Sequence, residues 1–267
     1  MTERKGLREL RATWAFVERN FNLARRYLGW EVVFLIYTIV NGLTIALIGK
    51  GQGPRVVLYL VIGALFWEFL SVLFHEISES IAWERWEGTI EFTFMAPIHR
   101  VTHLLGSCVY AVFYALLRVA VVLFFMVVFF HISLRGANLG AALVVLIFAS
   151  LSFVGMGLAA AVLPLLSTEK GSQATHIFQA VVLLVSGVYY EISALPAWVR
   201  PLSAVSPGTY ALRAARKALL HGTGVKGLWP ELMILLLIGV ILVPAGLAVF
   251  RWGELHAMRT GKLKRNG

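Results

Sequence analysis

LGAALVVLIFASLSFVGMGLAAAVLPLL, residues 139–166, runs for 28 positions without an Asp, Glu, Lys, Arg or His. A hydrocarbon core takes roughly 20 helical residues to cross. Inside it every amide must be satisfied within its own segment, so an uncharged run of this length reads as a membrane-spanning helix. Comparable apolar runs lie at about 31–48, 55–81, 101–130, 173–190 and 228–250. Together they predict an all-α membrane protein with about six transmembrane helices.

Composition agrees. The chain is 59% hydrophobic and 14% charged, with a mean hydropathy of +0.78, whereas a soluble domain carries roughly 25% charge. The spans use most of the 267 residues and leave no room for a separate soluble domain of ordinary size. The net charge of +10 would suggest nucleic acid in a soluble protein. Here Lys and Arg gather mainly near the two ends of the chain, beside spans, which reads as a topology signal and headgroup contact. Cys108 is the single cysteine, so neither a disulfide within the chain nor a thiolate metal cluster is available to it. The first apolar run begins near Glu31, too late and too long for a cleaved signal peptide, and the N-terminus is expected to be retained.

Between the spans the pattern changes. Leu7, Leu10, Trp14, Val17, Phe21, Ala24 and Leu28 recur at helical steps, with Arg8, Arg11, Arg19, Arg25 and Arg26 off that stripe. This is a basic amphipathic helix, expected to lie in the membrane interface. Residues 191–228 are apolar but broken by Pro196, Pro201 and Pro207, so no piece is long enough to cross. Two short helices that dip into the membrane or lie on it are expected. Ser206 would cap the second, with Pro207 at its first position and Gly222 closing it. Arg213, Arg216 and Lys217 share one face of that helix.

The most informative connection is Trp83-Glu84-Arg85-Trp86-Glu87-Gly88-Thr89-Ile90-Glu91-Phe92-Thr93-Phe94-Met95-Ala96-Pro97. Gly88 ends the preceding helix. Thr89 is placed to cap a new short one, Glu91 falls in its first turn, and Pro97 stops it. Phe92, Phe94 and Met95 on such a helix suit the groove of a partner protein. An interfacial loop with its aromatics among headgroups is the equal alternative on physical grounds.

Glu87-Gly-Thr-Ile-Glu91 with Ala96-Pro97, directly after the second span, resembles the permease subunits of ATP-binding-cassette exporters of the type-2 family. Ser193-Ala-Leu-Pro-Ala-Trp198, Leu202 and Ser206-Pro-Gly-Thr-Tyr-Ala211 are similar to that family's outer region before the last span, and the basic N-terminal helix fits as well. Gly208 departs from the family's commoner residue with a side chain. The resemblance covers nearly the whole chain. It implies that the helix near residues 89–96 is a cytoplasmic coupling helix seated in an ATPase subunit, with Glu87, Gly88, Thr89, Glu91, Phe92, Phe94, Met95 and Pro97 forming the coupling region. It also implies an outer re-entrant hairpin containing Pro196, Trp198, Pro201 and Pro207.

By the same resemblance the partners are two copies of an ABC ATPase and a second permease, identical or homologous, with membrane lipids around them. The expected domains are a cytoplasmic interfacial helix over 1–30, a transmembrane domain over 31–251 and a basic cytoplasmic tail over 252–267. Within the transmembrane domain the coupling helix falls at about 87–97 and the re-entrant segment at about 191–222. The site is the cell membrane, with both termini cytoplasmic.

The resemblance points to outward movement of a hydrophobic or amphiphilic molecule, such as a drug, a lipid or a lipid-linked molecule. Polysaccharide or oligosaccharide export is the alternative, although polysaccharide permeases of the family generally lack the Glu-Gly-Thr sequence. An ion-coupled secondary transporter would need acidic groups near the midplane, where Glu68 is the one good candidate.

No phosphate-binding loop occurs: Gly49-Lys50-Gly51 and Gly261-Lys262-Leu263 lack the hydroxyl residue and the spacing. ATP and Mg are therefore expected on the partner ATPase, with no catalytic residue or cofactor in this chain. His75 and Glu79 share a helical face, but a metal needs more ligands than they supply, so a polar gate or salt-bridge surface is expected and no metal. Glu68 and Arg118 are charged residues within spans, functional candidates by default. They are expected to pair with each other or to line the pathway, unless they snorkel or meet the partner permease. Tyr189 and Tyr190 end the fifth span, as an outer gate or an interfacial aromatic belt. Lys and Arg counts favour both termini inside, against the pull of the cations in 191–228.

Overall fold

Gly53 and Pro54 open the longest helix of the computed structural model, and Gly88 closes it with φ of 77°. Only glycine adopts that left-handed conformation without strain. The structure describes the backbone of residues 2–167 and 170–261, with side chains for all of these except residues 2–5 and 172. The helices are α1 (Thr2–Arg26), α2 (Leu28–Ile48), α3 (Pro54–Glu87), α4 (Ile90–Met95), α5 (Arg100–Phe130), α6 (Leu139–Ala160), α7 (Val162–Leu166), α8 (Gly171–Ser186), α9 (Arg200–Val205), α10 (Pro207–His221) and α11 (Trp229–Arg259). The protein is an all-α membrane protein, 86% helical, with no strand among the described residues.

Among the described residues, five helical stretches are long and apolar enough to cross a membrane: α2, α3, α5, α6 continued by α7, and α11. Pro164 accounts for the break between α6 and α7, because its ring and missing N–H disturb the preceding turn. The expected fifth span is α8, with 16 residues. At 1.5 Å per residue it is about 24 Å long, short of a hydrocarbon core of about 30 Å. Gly187, with φ of 66°, ends it before Val188, Tyr189 and Tyr190, whose apolar character had extended the sequence reading. In contrast, α3 has 34 residues and is about 51 Å long. It continues through Trp83 to Glu87, where a connection was expected. Likewise α11 carries on past Phe250 to Arg259, so the first part of the expected tail is helix. Lys262, Lys264 and Arg265 lie outside the described residues.

α3 is the buried axis of the bundle. Phe69, Leu73, Phe74, Ile77 and Ile81 are enclosed, and the helix touches α2, α5, α6, α7, α8 and α10. Its Phe66 and Phe69 meet Phe153 of α6 edge to face. The most extensive helix pairing is α6 with α11, and glycines seven residues apart on α11 meet α6 at Gly239 and Gly246 and α7 at Gly253. A Cβ on Gly239 would sit 2.7 Å from Leu151 Cγ, one on Gly253 2.5 Å from Val162 Cγ1, and one on Gly246 would strike the Gly155 carbonyl. Small residues let backbones approach where lipid offers no hydrophobic drive.

The bundle has two distinct ends. One gathers α1, the C-terminal turn of α3, α4, the start of α5, α7 and the last turns of α11, so both chain ends approach it. The other gathers the α2–α3 and α5–α6 turns, the segment 187–206, α10 and the start of α11. There α10 packs on α6, α11, α3 and α8, with Pro207 at its first position and Gly222 closing it, as expected. Ser206 does not cap it. The hydroxyl of Ser206 instead lies 2.9 Å from that of Ser186. This closeness also accounts for Gly208, where a Cβ would sit 2.9 Å from Ser186 Cβ.

Candidate functional site

The segment after Gly88 forms a six-residue helix, α4, between the second and third spans. Its entry differs from the sequence reading. Thr89 has helical dihedrals and makes no cap, because the left-handed Gly88 sends the Thr89 amide back to the Glu84 carbonyl at 2.9 Å. The Thr89 hydroxyl donates to the same carbonyl. The exit is as expected, with Ala96 extended before Pro97.

The face of α4 also needs correcting. Phe92 and Met95 are each 70% exposed, but Phe94 is only 9% exposed. Phe94 and Ile90 face inward, and the Arg100 guanidinium lies 4.4 Å over the Phe94 ring. Phe92 and Met95, with exposed Glu91 and Pro97 nearby, form the outward face. Glu87 is exposed at the end of α3.

The base of α4 is tied to five helices. Glu84 receives the guanidinium of Arg19 from α1, and its Oε1 lies 3.0 Å from Nε2 of His103 on α5. Arg85, fully enclosed, donates to the carbonyls of Pro164 and Leu165 on α7 at 2.9 and 2.8 Å. Arg100, under α4, donates to Glu254 of α11 at 2.8 Å. Charged, directional contacts thus connect the base of α4 with α3, α1, α5, α7 and α11. Sequence reasoning missed Glu84, Arg85, His103 and Glu254 as one set. Their partners lie far along the chain, and only the dense Trp-Glu-Arg-Trp-Glu run signalled them.

A cavity of about 600 Å³ opens beside this base, between the C-terminal third of α3 and the elbow joining α1 to α2. Tyr27, Trp30, Phe34, Trp83 and Tyr110 supply aromatic wall, and His75, Glu76 and Glu79 line it as a polar surface. No group of three or more His, Cys, Asp or Glu side chains able to hold a metal ion occurs among the described residues.

Toward the middle of the bundle, Arg118 lies 3.1 Å from Glu68 and donates to the Thr38 hydroxyl at 3.1 Å. The two intramembrane charges thus pair, tying α5, α3 and α2. At the far end Tyr189 lies beside Gly63 of α3. The Tyr190 hydroxyl folds back onto the Leu184 carbonyl, its ring packing with Val185, Leu195 and Val199. Pro196, Trp198 and Pro201 are exposed, whereas Pro207 is buried.

Apolar helices in this number, packed as one bundle, define a multi-pass membrane protein. Residues 11–220 match the family described as ABC-2 type transporter, and the chain belongs to that family. It is a membrane permease of an ABC transporter, a class whose members generally pair with ABC ATPase subunits. The match takes in α4 and reaches to the end of α10. No curated protein matches the chain.

Proposed function

We propose that this permease is the transmembrane subunit of an ATP-driven exporter, non-catalytic itself, that moves a hydrophobic or amphiphilic molecule outward. ATP and Mg would be bound by two copies of a separate ATPase, and a second permease subunit, identical or homologous, would complete the pathway. The single observation that carries the reading is α4. It holds Phe92 and Met95 out to a partner while Phe94, Arg100, Glu84 and Arg85 lock its inner side to five helices. In this reading α4 is the foot that the ATPase grips, and the α4 end with both termini faces the cytoplasm of a cell or inner membrane. Exposed Arg8, Arg11, Arg25 and Arg26 at that end support this orientation.

Closure of the ATPase pair would press the α4 helices of the two permeases together. The charged base then passes that motion to α3 and, through α7, to α8. The far segment around Pro196 and Pro201 would act as a lid.

The test is co-purification from native membranes. The wild-type chain brings down an ATPase, and a Phe92→Asp, Met95→Asp variant inserts normally but loses it. Stoichiometric capture by that variant removes the coupling role. A single cysteine placed at residue 92, labelled from outside intact cells, reverses the orientation. Buried Cys108 does not compete for the label.

A further inference from the structure

The cavity beside α3 has a charge that its aromatic walls do not explain. Five carboxyl groups line it, those of Glu31, Glu76, Glu79, Glu84 and Glu87, against the guanidinium of Arg19. Arg19 is already committed, being paired with Glu84 and bonded to the Asn20 side-chain oxygen at 3.2 Å. Glu31 accepts from the Tyr114 hydroxyl. Among the described residues, no cation lies within ion-pair distance of Glu76, Glu79 or Glu87. The wall also carries orphaned polar atoms. Asn20, 6% exposed, and Glu84, 3% exposed, present Nδ2 and Oε2 with no hydrogen-bond partner, and Trp83 Nε1 has none either.

These features select a ligand. Carboxyl groups that no cation neutralises disfavour an anion and offer a bound cation its counter-charge. A divalent metal would need several oxygens converging within about 2.6 Å, and no such group exists among the described residues. Aromatic faces attract organic cations, and the rings of Trp30, Trp83 and Tyr27 stand around the carboxylates. The volume falls in the range of sites for drug-sized molecules, about 300–1,000 Å³. Exposed Trp30 and Phe34 on α2 give the cavity an apolar threshold beside the amphipathic α1, the route an amphiphile takes from a lipid surface.

We propose that this cavity binds an organic cation carried on an aromatic or alkyl body, with Glu76 and Glu79 meeting the charge and Trp83 and Tyr27 the body. The inference rests on the exporter reading only for calling that ligand a substrate, since binding needs no ATPase. A zwitterionic lipid fits less well, because its phosphate would face the same carboxylates.

The experiment uses the full-length permease in lipid nanodiscs and two probes of equal size and opposite sign, tetraphenylphosphonium and tetraphenylborate. Quenching of tryptophan fluorescence should saturate with the phosphonium and not with the borate. Glu76→Gln with Glu79→Gln should weaken phosphonium binding at least about tenfold, while Glu18→Gln, exposed and away from the cavity, leaves it unchanged. Glu79→Asp should retain most of the affinity and keeps the test alive if the double variant misfolds. Equal binding of both probes, or undiminished affinity in a folded double variant, overturns the proposal. Phosphonium affinity lowered by stearylamine in the discs, a long-chain amine without phosphate, supports the site and assigns it to a cation carried in the lipid. Unaltered affinity supports it and assigns a freely diffusing cation. Failure of the wild-type chain to capture an ATPase, with phosphonium binding intact, would sink the exporter reading and leave this site standing.

Discussion

Charged side chains at the α4 end and at the α10 end are put to partly different uses. At the α10 end they are consumed by the fold. Arg216 donates to the carbonyls of Gly187 and Val188 and lies 3.5 Å from the centre of the Tyr59 ring. Arg200 donates to the Leu195 and Ser193 carbonyls, and Lys217 bonds to Glu231 at 2.5 Å. At the α4 end Glu76, Glu79 and Glu87 have no ion-pair partner among the described residues, and Phe92 and Met95 face outward. One end spends these groups on holding irregular backbone, and the other ties Glu84, Arg85 and Arg100 into its fold but leaves Glu76, Glu79 and Glu87 without an ion-pair partner among the described residues. The difference also bears on topology. Cations in 191–228 pulled against the charge count, yet Arg200 and Arg216 fasten carbonyls of a segment with no helix to satisfy them, and Lys217 ties α10 to Glu231 of α11.

The largest effect that tests this contrast lies between the ends. Arg118→Leu leaves Glu68 buried without its counter-charge, at a cost of about 3–5 kcal/mol. Yield and thermal stability in detergent should both fall, and Glu68→Leu added to it should restore most of the loss. If the single variant is as stable as wild type, the pair is not structural and Arg118 belongs with the reserved charges.

Next in size is Arg216→Ala, which strips two charge-assisted bonds from the carbonyls of the segment after α8. A loss of about 3 kcal/mol is expected, seen as a lower midpoint in thermal unfolding and faster proteolysis near Gly187. A variant at the α4 end that also removes a charge, Glu87→Gln, should change stability by less than about 0.5 kcal/mol. Equal effects at the two ends would erase the distinction.

Within α4 the same contrast appears on a smaller scale. Phe94→Ala uncovers the packing under Arg100 and should cost about 2 kcal/mol. Phe92→Ala should leave the unfolding midpoint unchanged and weaken only ATPase capture. The sequence could not separate these rings, because six residues are too few for helical periodicity to define a face. Other features were legible. The spans that became α2, α3, α5, α6 with α7, and α11 announced themselves by uncharged length, and Gly88, Pro97, Pro207 and Gly222 marked their turns correctly. The fifth span was overextended because hydropathy reports solvent preference and not backbone conformation. Val188 and Tyr189 are as apolar as helix but lie beyond the left-handed Gly187, pressed against Gly63. The base of α4 was hidden for another reason: Glu84 meets Arg19 from 65 residues away, and only the fold brings them together. The spacing of Gly239, Gly246 and Gly253 was visible but carried no meaning until α6 and α7 supplied the opposing wall.

The smallest effect concerns how α1 is fastened to the α4 end. Glu9 accepts from the Thr102 hydroxyl at 2.5 Å and from the His99 amide at 3.4 Å. The Thr102 bond chiefly, with the His99 amide and the nearby His99 and Arg8 charges, holds the Glu9 carboxyl below its ordinary 4.5 despite partial burial. A carboxyl whose pKa is lower when docked favours docking while ionised. The contribution is therefore complete above about pH 5 and fades as pH falls through the lowered pKa. Amide exchange or protease cutting within α1, followed from pH 7 to 3.5, should show the helix loosening at the acid end in wild type. Glu9→Gln cannot ionise, so that variant should be looser at pH 7 and lose the acid-dependent component, the difference between the two curves isolating Glu9 from the other carboxylates. Superimposable curves would mean that α1 is held by Arg19 and its apolar stripe alone, and that Glu9 belongs with the charges this end leaves uncommitted.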